Sequence, residues 1–178
     1  MAAGQSERLM PFLLDCLKDA GLGWRDLSRI AVGTGPGNFT GVRIAVASAR
    51  GLALGLGIPS LGVDRFAATA FGLDEPLLVA LDARQGRVAL RSGDTLPILL
   101  DPDEALPPDL AALPVVGDGA GLLGTRAAGP RLAQPVPLTE AIARIAAARP
   151  LPQPRPAPVY LRAADAAPAR DAPPRILT

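Results

Sequence analysis

The 178 residues carry a formal net charge of +1, 18 basic side chains against 17 acidic ones, and the arginines are scattered, so no basic stripe supports autonomous nucleic-acid binding. The residues include no histidine and one cysteine, which within this sequence excludes a Ser-His-Asp triad, a Cys-His pair, a His-ligated metal and an intrachain disulfide. The length suffices for one ordinary domain or two small lobes.

Along the chain, apolar residues at Leu9, Leu13, Cys16, Leu17 and Ala20 predict an amphipathic helix over 7–20. Ser6 is a candidate cap. Pro11 is tolerated only near a first turn, so regular helix is expected from about there, or a kinked entrance. On this apolar face Cys16 reads as a small buried hydrophobe rather than a reactive thiol. Gly21 and Gly23 end the helix. "SRIAVGTG" (28–35) reads as a short strand, and 40–56 as a second helix capped by Asn38 or Thr40. "IPSLGV" (58–63) reads as a strand, after which Asp64 caps a short helix. The stretch 44–63 is long and apolar enough to raise a membrane span, but Arg50, four glycines and Pro59 lie inside it. A buried helix and strand of a soluble, cytoplasmic protein is the expectation. Helix, strand, helix, strand, helix favours a parallel α/β arrangement.

After "LDEP" (73–76) the pattern restarts. "LLVALDARQGRVALRSG" (77–93) predicts a hairpin turning at 84–86, and "LPILL" a further strand. "LPVVGDGAG" (113–121) reads as a strand running into a glycine turn. "TEAIARIAAAR" (139–149) is a helix with Thr139 as its cap. "PLPQPRPAPVY" is an extended connector, "VYLRAAD" a last short ordered element, and the final dozen residues read as frayed. Two lobes are expected, at 1–72 and 73–178.

The stretch "GTGPGNFTGVR" (33–43) admits three readings. A P-loop needs a lysine and a Ser/Thr at the helix start, and no lysine stands there. A dinucleotide turn is suggested by Gly33, Gly35, Gly37 and Gly41, with Asp64 near the place of a ribose-binding carboxylate. The spacing is not G-x-G-x-x-G, however, and Pro36 removes a donor. The third reading is structural: Pro36 stiffens a turn that sets the angle of the next helix. That helix carries Gly41, Ala45, Ser48, Gly51 and Gly55 at three- and four-residue spacing, a flat stripe that serves either as core or as a docking face.

The run from "GTGPGNFTGVR" through "IPSLGV" resembles the signature of the TsaB (YeaZ) family, G-P-G-S-F-T-G-[LV]-R followed by a small-residue helix. "QSERLMP" is similar to that family's first-helix entrance, "LVALDARQGRV" to its second-lobe hairpin and "PVYLR" to its C-terminal motif. The motifs stand in order from about residue 4 to residue 162. The resemblance implies the actin-like, Hsp70-like ATPase superfamily fold of two RNase H-like lobes. It implies a non-catalytic dimerisation subunit of the bacterial machinery that places threonylcarbamoyl on the adenosine beside the tRNA anticodon. The implied partners are the catalytic paralogue TsaD, the ATPase TsaE and a second copy of the chain, with tRNA met only through the complex, and no cofactor.

The resemblance places the partner interface on the first two helices, here with Leu9, Leu13, Thr40, Gly41, Arg43, Ala45, Ser48, Gly51 and Gly55 as candidates. Gly35, Pro36, Gly37, Asn38, Phe39, Asp82 and Arg84 are candidates for a ligand cleft; Asp82, Arg84 and Gly86 stand where that superfamily carries its second phosphate hairpin. "VVGDGAG" resembles the superfamily's turn toward adenosine. An older glycoprotease label is not supported by a sequence without histidine. Asn38 replaces the family's usual serine. Family members open with a β-hairpin bearing a D-T-S-like segment and a third strand, whereas this sequence starts almost at the first helix. Met1 is therefore expected to be an internal methionine of a longer reading frame, which leaves the first lobe without its N-terminal strands. The alternative function is a nucleotide-binding enzyme using the loop 33–41.

Overall fold

The computed structural model describes residues 5–161. In chain order the elements are α1 (Gln5–Asp19), a 3-10 turn (Trp24–Asp26), β1 (Ile30–Gly33), α2 (Phe39–Leu56), β2 (Ser60–Val63) and α3 (Arg65–Ala70). Then follow β3 (Leu78–Asp82), β4 (Val88–Ser92), β5 (Ile98–Leu100), α4 (Pro108–Ala111), β6 (Val115–Val116), a 3-10 segment (Ala120–Arg126), β7 (Arg131–Leu132) and α5 (Leu138–Ala148).

Among the described residues β1 and β2 form a parallel two-stranded sheet, and the other strands form a five-stranded sheet in the order β5-β4-β3-β6-β7. Ile30 and Val32 join Val46 and Ala49 of α2 in one apolar cluster. Ala31, on the opposite face of the strand, joins Leu61, Val63, Ala141 and Ala146, so α5 returns from late in the chain to the first sheet. Both faces of this short sheet are covered, which suits parallel pairing.

The run Leu77 to Leu81 is continuously apolar because the larger sheet is also covered on both faces. Leu78 and Ala80 face one cluster with Val88, Leu90, Val115 and Leu123. Val79 and Leu81 face the other with Ala89, Val116 and Phe66. Phe66 comes from α3, 1% exposed, so this short helix plugs the first sheet's end into the second sheet's core.

Several sequence expectations are corrected here. The helix α1 runs from Gln5, ahead of Ser6, and passes through Pro11. From residue 7 to 20 only Leu9, Leu13 and Leu17 are half-buried, and Cys16 is exposed. Periodicity identified the apolar face correctly, but that face is only partly covered among the described residues. The helix α5 begins at Leu138 with Pro137 as its cap, so Thr139 is inside the first turn. Of "VYLRAAD", Val159 to Leu161 has no helix or strand, and the remainder lies outside the described residues. The 3-10 turn at Trp24, α4 and β7 were not foreseen; each is two to four residues long, too short for a periodic pattern.

Candidate functional site

The helix α2 enters through Asn38, whose Oδ1 accepts from the Gly41 N–H at 3.1 Å; Thr40 is not the cap. Its Val46, Ala49 and Ala53 face the sheet. The small-residue stripe divides: its N-terminal end joins that contact, where Ala45 packs on the Val32, Val46 and Ala49 cluster, and its C-terminal end turns away. Gly41 is buried at the first turn, Ala45 and Ser48 are half-buried, and Gly51 and Gly55 are exposed. A Cβ at either of these last two would meet no atom within 4 Å. The Gly51–Gly55 end of the stripe is therefore not core among the described residues.

Ser48, Gly51 and Gly55 line an open apolar groove of about 460 Å³ together with Leu52, Leu56, Met10 of α1 and Trp24. Trp24 is the sole tryptophan of the sequence. Of the expected interface residues, Leu9 and Leu13 are half-buried on α1 and do not line this groove. Thr40 and Arg43 are exposed near the helix entrance, and Arg43 covers the Phe39 ring at 4.7 Å instead. Met10, Trp24, Leu52 and Leu56 went unlisted in the sequence reading. The leucines flanking the glycine stripe point to Leu52 and Leu56, whereas Met10 and Trp24 come from other elements and no local pattern marks them.

At 18 residues and mean hydropathy 1.3, α2 has the length and composition of a membrane span. Its capped N-terminus, Arg43 and Arg50, and its packing on β1 make it a helix of the folded domain instead.

The glycine loop is closed rather than open. Gly35 has φ +92°, and a Cβ there would sit 3.3 Å from the Gly37 nitrogen and 3.3 Å from the Val159 oxygen. Only glycine meets both demands. The Gly35–Pro36 peptide is cis. The Gly35 oxygen accepts from the Arg65 N–H at 2.7 Å. Phe39 is exposed and stacks on Tyr160 with centroids 5.0 Å apart.

A relay joins this loop to the hairpin turn. Arg65 Nη2 donates to Asp118 Oδ2 at 2.5 Å, and Asp118 Oδ1 accepts from the Asp82 N–H at 3.1 Å. Asp82 Oδ1 in turn accepts from the Arg84 N–H at 2.7 Å. Arg84 and Gln85 both have positive φ, 67° and 55°, in a turn tightened by this carboxylate. The two candidate cleft segments are thus linked, through Arg65 and Asp118, which the sequence reading did not list. The Asp82 carboxylate and its own N–H are both engaged internally. One residue before Arg65, Asp64 caps α3 at the Ala67 N–H and pairs with Arg91 at 3.0 Å. Arg91 also lies over the Phe66 ring at 4.8 Å. Among the described residues no group of three or more His, Cys, Asp or Glu side chains could hold a metal.

Residues 2–109 match the family described as "TsaD: tRNA N6-adenosine threonylcarbamoyltransferase". The chain is 40% identical over 88 residues to the tRNA threonylcarbamoyladenosine biosynthesis protein TsaB of Escherichia coli, covering 47% of this chain and 38% of the relative. It is 41% identical over 86 residues to the TsaB protein of Bacillus subtilis, with 47% and 38% covered. The matched stretch thus spans well under half the length of these curated relatives. Among solved structures, YeaZ from Pseudomonas aeruginosa superposes with a TM-score of 0.64 at 30% identity, over 89% of this chain and 84% of that one. A second structure, named as a protein with similarity to the peptidase YEAZ of that organism, gives a TM-score of 0.65 at 31% identity over 88% and 83%.

Proposed function

The chain belongs to the TsaB/YeaZ family, with the actin-like fold of its solved relatives, and from that premise we propose that it is a non-catalytic, partner-binding subunit in tRNA threonylcarbamoyladenosine biosynthesis. In this reading it docks the catalytic paralogue TsaD on the open side of α1 and α2, and the same face serves a homodimer. TsaE joins the assembly, tRNA is met only through it, and the setting is cytoplasmic. Residues 1–72 form the partner-binding unit, with α5 and the segment 156–161 returning from later in the chain to pack on its sheet, and the five-stranded sheet forms the second lobe.

The observation that carries this reading is the uncovered groove. A capped, well-formed helix leaves Ser48, Gly51 and Gly55 open to the outside beside Met10, Trp24, Leu52 and Leu56. Small residues let a second helix backbone approach closely, while Trp24 and the leucines give it apolar surface to bury. Met10, 40% exposed on α1, carries the same apolar surface across from α2.

A nucleotide enzyme using the loop 33–41 draws less support. The Gly35 oxygen and the Asp82 N–H are occupied by partners within the chain, and the close contacts of Gly35 explain its identity without a ligand. A peptidase with a histidine-held metal has no histidine to use in these residues.

The test is co-purification of TsaD from the same genome with the wild-type chain and with Ser48→Arg. Wild type is expected to retain TsaD and the variant to lose it. Equal recovery from a folded variant would contradict the reading.

A further inference from the structure

The C-terminal motif "PVYLR" is a motif of the sequence that the proposed function does not use, and its last residue, Arg162, lies outside the described residues. The segment 156–161 crosses back over the first sheet and touches three parts of the fold. Pro156 is buried against Gly62 of β2, its Cα 3.3 Å from where a Cβ would stand. The Val159 N–H donates to the Thr34 oxygen at 2.8 Å, and the Val159 oxygen closes on Gly35. Tyr160 lays its ring on Phe39, the first residue of α2, at 5.0 Å and 35° between planes. Leu161 then reaches the cluster that holds Phe66 and Val116.

We propose that this segment is a staple that fixes the entrance of α2, and that Tyr160 is a positioning residue for the docking helix. A loop with glycines at 33, 35 and 37 has wide backbone freedom, and left to itself would let the helix enter over a range of angles. Three contacts remove that freedom: the Arg65 N–H on the Gly35 oxygen, the Val159 N–H on the Thr34 oxygen, and the Tyr160 ring on Phe39. Two of the three come from the C-terminal segment. Thr34 is 5% exposed and bonds on both sides, donating to the Val63 oxygen at 2.9 Å and accepting from Val159. The staple thereby ties loop, β2 and helix entrance into one body. Arg43, over the Phe39 ring at 4.7 Å, adds a cation to the same group.

The proposal rests on the reading of α2 as the docking helix, and the experiment separates the two. The full chain is compared with Tyr160→Ala and Tyr160→Phe by amide hydrogen exchange over residues 37–42 and by titration with TsaD. The alanine variant is expected to exchange faster over 37–42 and to bind TsaD about three- to tenfold more weakly, the range an aromatic pair supports. The phenylalanine variant, which keeps the ring, is expected to restore both to near wild type. Unchanged exchange in Tyr160→Ala, or a Tyr160→Phe variant as impaired as the alanine one, overturns the staple. Faster exchange in Tyr160→Ala with phenylalanine rescue, in a chain whose wild type does not bind TsaD, leaves the staple standing and removes the docking reading.

Discussion

Arg65 and Asp118 stand 53 residues apart in sequence and meet at 2.5 Å, and through them the glycine loop and the 82–86 turn become parts of one hydrogen-bonded line. Arg65 holds Gly35 by its backbone and Asp118 by its side chain. Asp118 then holds the backbone of Asp82. The Arg65 side chain is 25% exposed and that of Asp118 52%, so solvent screens the pair and its contribution is modest. A double-mutant cycle of Arg65→Ala and Asp118→Ala, followed by urea unfolding, is expected to give a coupling of about 0.5–1 kcal/mol at low salt. Zero coupling at low salt would show that the contact contributes nothing in solution.

Two glycines with opposite roles give a second expectation. Gly117 has φ +114°, and a Cβ there would run into the Ala80 carbonyl of β3. Gly117→Ala is expected to lose about 3 kcal/mol, or to prevent folding. Gly51, in open space within an exposed stretch of α2, is expected to behave in the reverse sense. Gly51→Ala in the isolated chain should gain about 0.5–1 kcal/mol from helix propensity. Thermal unfolding of the two variants side by side checks both signs.

Phe66 is the plug between the two sheets, 1% exposed, with the Arg91 guanidinium on its ring. Phe66→Ala is expected to cost about 3–5 kcal/mol. Chemical denaturation measures it directly, and a loss below about 1 kcal/mol would mean that α3 does not join the sheets as described.

Cys16 is the sole cysteine and is exposed on α1. The native chain is expected to react with a thiol reagent to full stoichiometry without denaturant. A thiol that reacts only after unfolding would return Cys16 to the buried face that periodicity alone suggested.

What could be read beforehand was local chemistry. Asn38 and Asp64 announced their helix starts because a short polar side chain before an apolar run satisfies the free N–H groups of a first turn, and both bonds are present. The hairpin at 84–86 followed from an apolar run, a turn and a second run. Coverage could not be read. The spacing of Leu9, Leu13 and Cys16 tells which side of a helix is apolar, but not whether another element lies on it. For the same reason spacing alone does not separate core from open face along the stripe from Gly41 to Gly55, whose Ala45 packs on a core cluster while Gly51 and Gly55 stand in open space. The long-range partners were likewise hidden. Asp118 for Arg65, Arg91 for Asp64 and Tyr160 for Phe39 are brought together by the crossing of two sheets and the return of the C-terminal segment, which no local pattern encodes.

The most direct measurement is the affinity of this chain for TsaD from the same genome, by calorimetric titration of wild type and Gly51→Arg. A Cβ at Gly51 meets no atom within 4 Å in the free chain, and the position is exposed, so the variant is expected to unfold at the wild-type temperature or slightly above. If the groove is the docking face, a charged side chain in its middle should weaken binding at least a hundredfold, in line with the loss of an interface hot spot, about 2.7 kcal/mol or more. A folded Gly51→Arg chain that binds TsaD as tightly as wild type would contradict the account.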